Sequence, residues 1–263
     1  MSQTITIRVT ALTGVSAPVT VIYAHEGAAP AGAAAAPWAA IGLGWAETAE
    51  AGAFKGKQGQ ALDVFGAGGT RLLVLGSGKS GADTPLNGWT DRGGSLLAKI
   101  GATRAANVAV VIDEPGATPA AIGELAAGLR LRHYRFDKYK SARSDDAPSA
   151  LTVTLHVADP AAAERAIADR GATVDGTLLA RDLINEPANV LGPVEFAGRA
   201  AELADLGVGI EILEPAALEK LGMDSLLCVA QGSERPARLV VMQWRGGDAA
   251  AAPLAFVGKG VVF

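Results

Sequence analysis

The chain has 263 residues, 49% apolar and 19% charged, with a formal charge of −4. That apolar content excludes a self-repelling disordered polymer, and the slight acidity excludes a protein built to coat nucleic acid. At roughly 100–200 residues per domain, the length fits one large domain or two smaller ones.

Thr4–Thr10 alternates, with Ile5 and Ile7 on one face, and predicts a half-buried strand. Val19–Tyr23 predicts a second strand, and the Ala-rich stretch Ala39–Ala51 a helix. Ala61–Phe65 and Arg71–Leu75 read as short strands around the Ala-Gly-Gly-Thr turn at 67–70. Leu86–Thr103 places Leu96, Leu97 and Ile100 on one helical face. Val108–Ile112 is an unbroken apolar run, the pattern of a strand covered on both faces. Pro119–Leu131 predicts a helix, Leu151–Val157 an alternating strand, and about 161–184 a long helix. Strands interleaved with helices imply an α/β layer structure.

Asn185-Glu186-Pro187 should stop the long helix, because proline lacks an N–H and pushes its predecessor out of the helical region. Pro193 suits the first turn of a new helix over Val194–Leu206. Gly209–Leu213 predicts a strand, Pro215–Leu221 a short helix, and Arg238–Trp244 and Leu254–Val257 two further strands. Charge shifts along the chain. Residues 1–158 hold 14 Lys/Arg against 12 Asp/Glu, and residues 159–263 hold 9 against 15. The shift places a domain boundary near Asp159, giving domains over 1–158 and 159–263.

A single cysteine, Cys228, cannot form an internal disulfide and points to a reducing compartment. The N-terminus has no secretory pattern. The longest apolar run, Ala31–Ala46, is Ala/Gly-rich, broken by Pro37 and too short to span a bilayer. A cytoplasmic protein with no membrane association is expected.

Several segments invite a functional reading. Gly76–Gly81 (GSGKSG) matches G-x-G-x-x-G, which can seat a pyrophosphate on a helix N-terminus. Pro85 interrupts before a helix can open, so a Gly-rich strand-to-loop turn is the expectation. Arg130–Arg143 carries six Lys/Arg and one acid, interleaved with Tyr134, Phe136 and Tyr139. Basic and aromatic residues together can bind nucleic acid. One short run in an acidic chain reads instead as a solvated face with stems packed over rings. His25, His133 and His156 are far apart and show no zinc spacing; His156 should be a satisfied strand histidine, and Cys228 a buried, inert thiol. Lys259 lies in Val257-Gly258-Lys259-Gly260-Val261, at the end of an apolar run. Ligands in open α/β sheets sit beyond such strand ends. A lysine there must reach water, meet a carboxylate, or lose its proton, and a neutral amine can coordinate a metal ion. The apolar ending at Val261-Val262-Phe263 reads as a chain that stops within a domain.

Taken together, these segments resemble the leucyl aminopeptidase (cytosol aminopeptidase) family. LAFVGKGVVF (254–263) resembles its metal-binding strand, which continues into Asp-[Ser/Thr]-Gly-Gly. ARDLINEPANVLGP (180–193) is similar to the N-x-P-x-N segment that opens its catalytic domain. Cys228–Arg235 with Gln243–Gly247 is similar to a V-A-x-G-S…P strand pair, and Tyr134–Lys140 and Leu72–Lys79 to marks of the N-terminal domain. The resemblance implies two α/β domains, the first macro-domain-like and the second the start of a metallopeptidase. It implies two divalent ions, Mn2+ or Zn2+, with Lys259 as one metal ligand, and no catalytic side chain within this chain. The remaining ligands would lie beyond Phe263, so the 263 residues alone should be inactive. It implies peptide substrates with a free N-terminus and a homo-hexamer when full length. The rival from another class is a macro-like binding module for ADP-ribose or a nucleotide, using the 76–81 loop. A third reading makes the chain an assembly piece.

Overall fold

The structure, a computed structural model, describes residues 4–81, 84–141 and 150–261. It divides into two compact units, residues 1–178 and 179–263. That division falls inside the long helix, downstream of the boundary expected near Asp159.

The first unit is built on a six-stranded sheet. In chain order its strands are β1 (Thr4–Ala11), β2 (Val19–His25), β3 (Ala61–Phe65), β4 (Arg71–Gly78), β5 (Asn107–Val111) and β6 (Ala150–Val157). The spatial order is β1-β6-β5-β2-β4-β3, parallel except for the antiparallel edge strand β3. Strand chemistry follows position in the sheet. β2 and β4 lie inside and are buried on both faces. Val19, Val21 and Tyr23 point with Leu73 and Leu75 into one core, and Ile22 and Ala24 with Leu72 and Val74 into the other. Successive side chains alternate faces, so two covered faces require an unbroken apolar run. β3, at the edge, buries only Leu62 and Val64.

One face is covered by α3 (Leu86–Gly101) and α4 (Pro119–His133), through Trp89, Leu96, Ile100, Ile122, Leu125 and Leu129. The two helices approach backbone to backbone. A β-carbon at Gly93 would overlap the Leu125 carbonyl, and one at Gly128 the Thr90 carbonyl. Glu124 ties three helices by accepting from Thr90 Oγ1 (2.6 Å) and from Arg170 Nε (2.7 Å) of α5 (Pro160–Asn185). The other face is covered by Trp38 and Phe54, with Trp45 edge-on to both at centroid distances of 5.0 and 5.9 Å. Thr118 caps α4, its Oγ1 accepting from Ala121 N at 3.2 Å. Thr118→Ala is expected to cost about 1 kcal/mol, read as a lowered urea midpoint at unchanged slope.

The second unit holds the end of α5, then α6 (Pro193–Ala201), β7 (Gly209–Leu213), α7 (Pro215–Lys220), α8 (Asp224–Ala230) and β8 (Leu239–Gln243). β7 and β8 pair antiparallel as a two-stranded sheet.

Five expectations are corrected. The helix over Ala39–Ala51 is two helices, α1 (Ala35–Ala39) and α2 (Trp45–Ala51), because Gly42 turns the chain at φ +75° between them. β4 does not stop at Leu75 but runs through Gly76-Ser77-Gly78. Cys228 is exposed, not buried, because α8 buries none of its side chains. The segment Cys228–Arg235 is the end of that helix and a turn rather than a strand. Leu254–Val257 forms no strand either: Leu254, Phe256 and Val257 are more than four-fifths exposed and pair with no ladder. Val262 and Phe263, and Arg143 of the basic run, lie outside the described residues.

Candidate functional site

The glycine-rich segment is explained by packing within the first unit. A β-carbon at Gly76 would overlap the Lys57 carbonyl, so the glycine lets two backbones touch. The N–H of Gly76 donates to Gln60 O at 3.0 Å and that of Gly78 to Gly56 O at 2.9 Å. These donors are spent, whereas a phosphate cradle needs free N–H groups converging on the anion. The N–H groups of Gly76 and Gly78 are therefore not available to a phosphate of ADP-ribose or a nucleotide. Beside it, Ser77 Oγ lies 3.1 Å from His25 Nδ1, with the ring half-buried.

The other titratable clusters of the first unit close on themselves. Arg92 bonds Glu114 at 2.7 Å, with both side chains about nine-tenths buried, and stacks over Trp89 (4.3 Å) and Tyr23 (4.7 Å). Burial pushes the Tyr23 hydroxyl up to about 12, only partly offset by the Arg92 charge. Among the described residues the buried Tyr23 hydroxyl has no hydrogen-bond partner. His156 is buried, its Nδ1 2.9 Å from Ala11 O, as expected of a satisfied strand histidine. In the basic run Arg130 pairs with Asp175 and Lys140 with Asp137, and Lys138 lies over the Tyr139 ring. That is a solvated face with packed stems.

In the second unit the segment after α5 is held by one arginine. Arg235 donates through Nη1 to Ala188 O (2.7 Å) and through Nη2 to Glu195 Oε1 (3.1 Å). Glu195 also accepts from Gly192 N at 3.1 Å, closing the first turn of α6. Its own backbone N–H, the Arg235 guanidinium and the Gly192 N–H hold its carboxyl below the usual carboxylate range. Arg235 thus holds the Asn-Glu-Pro-Ala-Asn stretch at Ala188, and Leu191, just after it, is buried.

Lys259 lies in an irregular stretch, 252–261, that belongs to no helix or strand, and its side chain is exposed. Its neighbour Gly260 passes close to the Phe196 ring of α6, with room for a β-carbon only 3.0 Å from Cε1. Among the described residues, no three His, Cys, Asp or Glu side chains gather to hold a metal ion. A lone amine with no carboxylate beside it does not by itself form a two-metal site.

Both units match models of one family in the expected order. Residues 21–143 match the cytosol aminopeptidase family, N-terminal domain, and residues 178–263 the cytosol aminopeptidase family, catalytic domain. The chain belongs to the cytosol aminopeptidase family. A probable cytosol aminopeptidase of Rhodopseudomonas palustris (strain BisA53) is 49% identical over 221 residues, which are 82% of this chain and 44% of that one. One of Allorhizobium ampelinum is 48% identical over 247 residues, 90% of this chain and 48% of that one. The chain thus spans about half the length of the curated relatives it matches. A solved tomato leucine aminopeptidase mutant superimposes with a TM-score of 0.74 at 21% identity, over 91% of this chain and 50% of its own. The bottromycin maturation enzyme BotP, in complex with Mn, superimposes at 0.68 with 28% identity, over 89% and 46%. The family membership covers both α/β domains anticipated from the sequence. No helix among the described residues is long and apolar enough to cross a membrane.

Proposed function

We propose that this chain supplies the N-terminal domain and the first part of the catalytic domain of a metal-dependent aminopeptidase. The enzyme removes N-terminal residues, of leucine type, from peptides in the cytoplasm, and its full-length form is a homo-hexamer. Residues 1–158 form the N-terminal domain, and α5 connects it to the catalytic domain. Lys259 is one ligand to a pair of divalent ions, Mn2+ or Zn2+. The observation that carries this reading is the ordered match of both family domains, the second running through the Gly-Lys-Gly segment.

When bound, such a metal pair polarises a scissile carbonyl and activates water. Lys259 would be one of the residues that hold the pair, and the neighbouring residues of this chain act structurally. Arg235 and Glu195 fix the stretch entering α6, and Phe196 of α6 packs against Gly260, beside the lysine.

The test is hydrolysis of leucine p-nitroanilide by the full-length protein. Activity should require Mn2+ or Zn2+, vanish with a chelator, return on metal addition, and be absent for the N-acetylated substrate. A folded full-length protein with no metal-dependent release of p-nitroaniline overturns the reading. The 263-residue polypeptide by itself is expected to show no turnover under any of these conditions.

A further inference from the structure

Ala188, Gly192 and Glu195 converge on the guanidinium of Arg235, although the two residues it bonds lie 47 and 40 positions away in the chain. Nη1 donates to Ala188 O and Nη2 to Glu195 Oε1, and the guanidinium lies against Gly192, where a β-carbon would overlap it. The second oxygen of the same carboxylate accepts from Gly192 N at 3.1 Å, so Glu195 is held on both sides. Arg235 is itself placed by Ser233, whose Oγ accepts from its backbone N–H at 3.1 Å. All of these groups belong to the second unit.

Stability does not account for the arrangement. The Arg235 and Glu195 side chains are each about two-fifths exposed, and an ion pair so open to water contributes little to folding. A lysine would neutralise Glu195 as well. What a guanidinium adds is a planar fork that reaches a carbonyl and a carboxylate at once and so fixes their separation. The parts fixed here are the stretch after α5 and the first turn of α6. Phe196 follows Glu195 directly, its N–H donating to Gly192 O at 2.8 Å. Its ring lies against Gly260, where a β-carbon would stand 3.0 Å from Cε1 and 3.5 Å from Cδ1. Glycine at 260 lets the chain pass the ring this closely. Lys259 is the preceding residue, in a stretch outside any ladder, and the ring contact ties that stretch to α6.

We propose that Arg235 is a positioning residue for Lys259, acting through Glu195 and the Phe196 ring. The inference rests on the reading of Lys259 as a metal ligand. Its test uses the full-length protein, with Mn2+ and Zn2+ affinities measured by competition with a chromophoric chelator, apart from turnover. Arg235→Ala should weaken metal binding by about tenfold, the low end for groups that orient a ligand. Arg235→Lys keeps the charge without the fork and should recover little of that loss. If Arg235→Ala does not fold, as circular dichroism would show, Arg235→Lys carries the same comparison. In a Lys259→Met background, adding Arg235→Ala should have no further effect, because both changes act on one ligand. Arg199→Ala removes a comparable ion pair, to Glu202, from the same helix and should leave metal binding at the wild-type level. Amide exchange at 258–261 in metal-free protein should quicken in Arg235→Ala and not in Arg199→Ala. Wild-type metal affinity in Arg235→Ala overturns the inference. So does full additivity with Lys259→Met, or unchanged exchange at 258–261. A wild-type protein that binds neither ion overturns the peptidase reading and the ligand role of Lys259 with it, while the exchange rates still show whether Arg235 places the segment.

Discussion

Replacing Lys259 by methionine in the full-length enzyme is expected to lower kcat/KM on leucine p-nitroanilide at least about a hundredfold, since changes to mere outer-shell partners of a metal site already cost about 10–100-fold. Methionine keeps the stem length and apolar bulk and removes the amine. The side chain is exposed, so the folded parts described above should not notice. Thermal unfolding of the first unit should be unchanged. The metal requirement separates the proposed role from a structural one. A lost ligand raises the metal concentration needed for half activity, so excess Mn2+ or Zn2+ should recover part of the rate. Wild-type activity at every metal concentration would remove Lys259 from the site. A uniform loss with an unchanged metal requirement would reassign it to substrate contact.

The candidate site was only half legible, for a physical reason. A lysine between glycines after an apolar run is unusual, because burial of an ammonium is costly without a partner. That singles out the residue, but ligation is a property of several groups brought together. Among the described residues no carboxylates gather around Lys259. The expected strand leading to it shows the same limit. Leu254–Val257 has strand chemistry, yet a strand exists only if its N–H and C=O groups meet another ladder. In the second unit β7 pairs with β8, and that segment lies outside their ladder, irregular and exposed. Arg235 escaped sequence reading altogether. Its contacts with Ala188 and Glu195 lie 47 and 40 residues away, and nothing local marks them.

The fold of the first unit was legible where burial decides the pattern. Unbroken runs at β2 and β5 and alternation at β1, β3 and β6 follow from the number of covered faces. Glycine misled in both directions. Gly42 and Gly44 split an Ala-rich stretch whose composition favours a single helix. Gly76 and Gly78 look like a turn but continue β4, because Gly76 must clear the Lys57 carbonyl. Local propensity could not reveal that contact.

The same distinction makes a sharp prediction at the α3–α4 crossing. Gly128→Ala should destabilise the first unit by about 1–3 kcal/mol, although alanine is the better helix former by about 1 kcal/mol. The added methyl meets the Thr90 carbonyl and lies 3.0 Å from Gly94 N. Those atoms are backbone and cannot turn aside. Relief requires the helices to separate, which would loosen Leu96, Leu125 and Leu129, all fully buried between them and the sheet. Gly94→Ala on the facing helix is the control. Its methyl would come no closer than 3.9 Å to Arg132 Cβ, an ordinary contact. There the propensity gain should stand alone, stabilising by roughly 0.5–1 kcal/mol. Urea unfolding followed by tryptophan fluorescence reads both, because Trp38, Trp45 and Trp89 lie in the first unit. Opposite shifts of the midpoint at constant slope are expected. If both variants raise the midpoint, helix propensity rather than backbone contact governs this crossing.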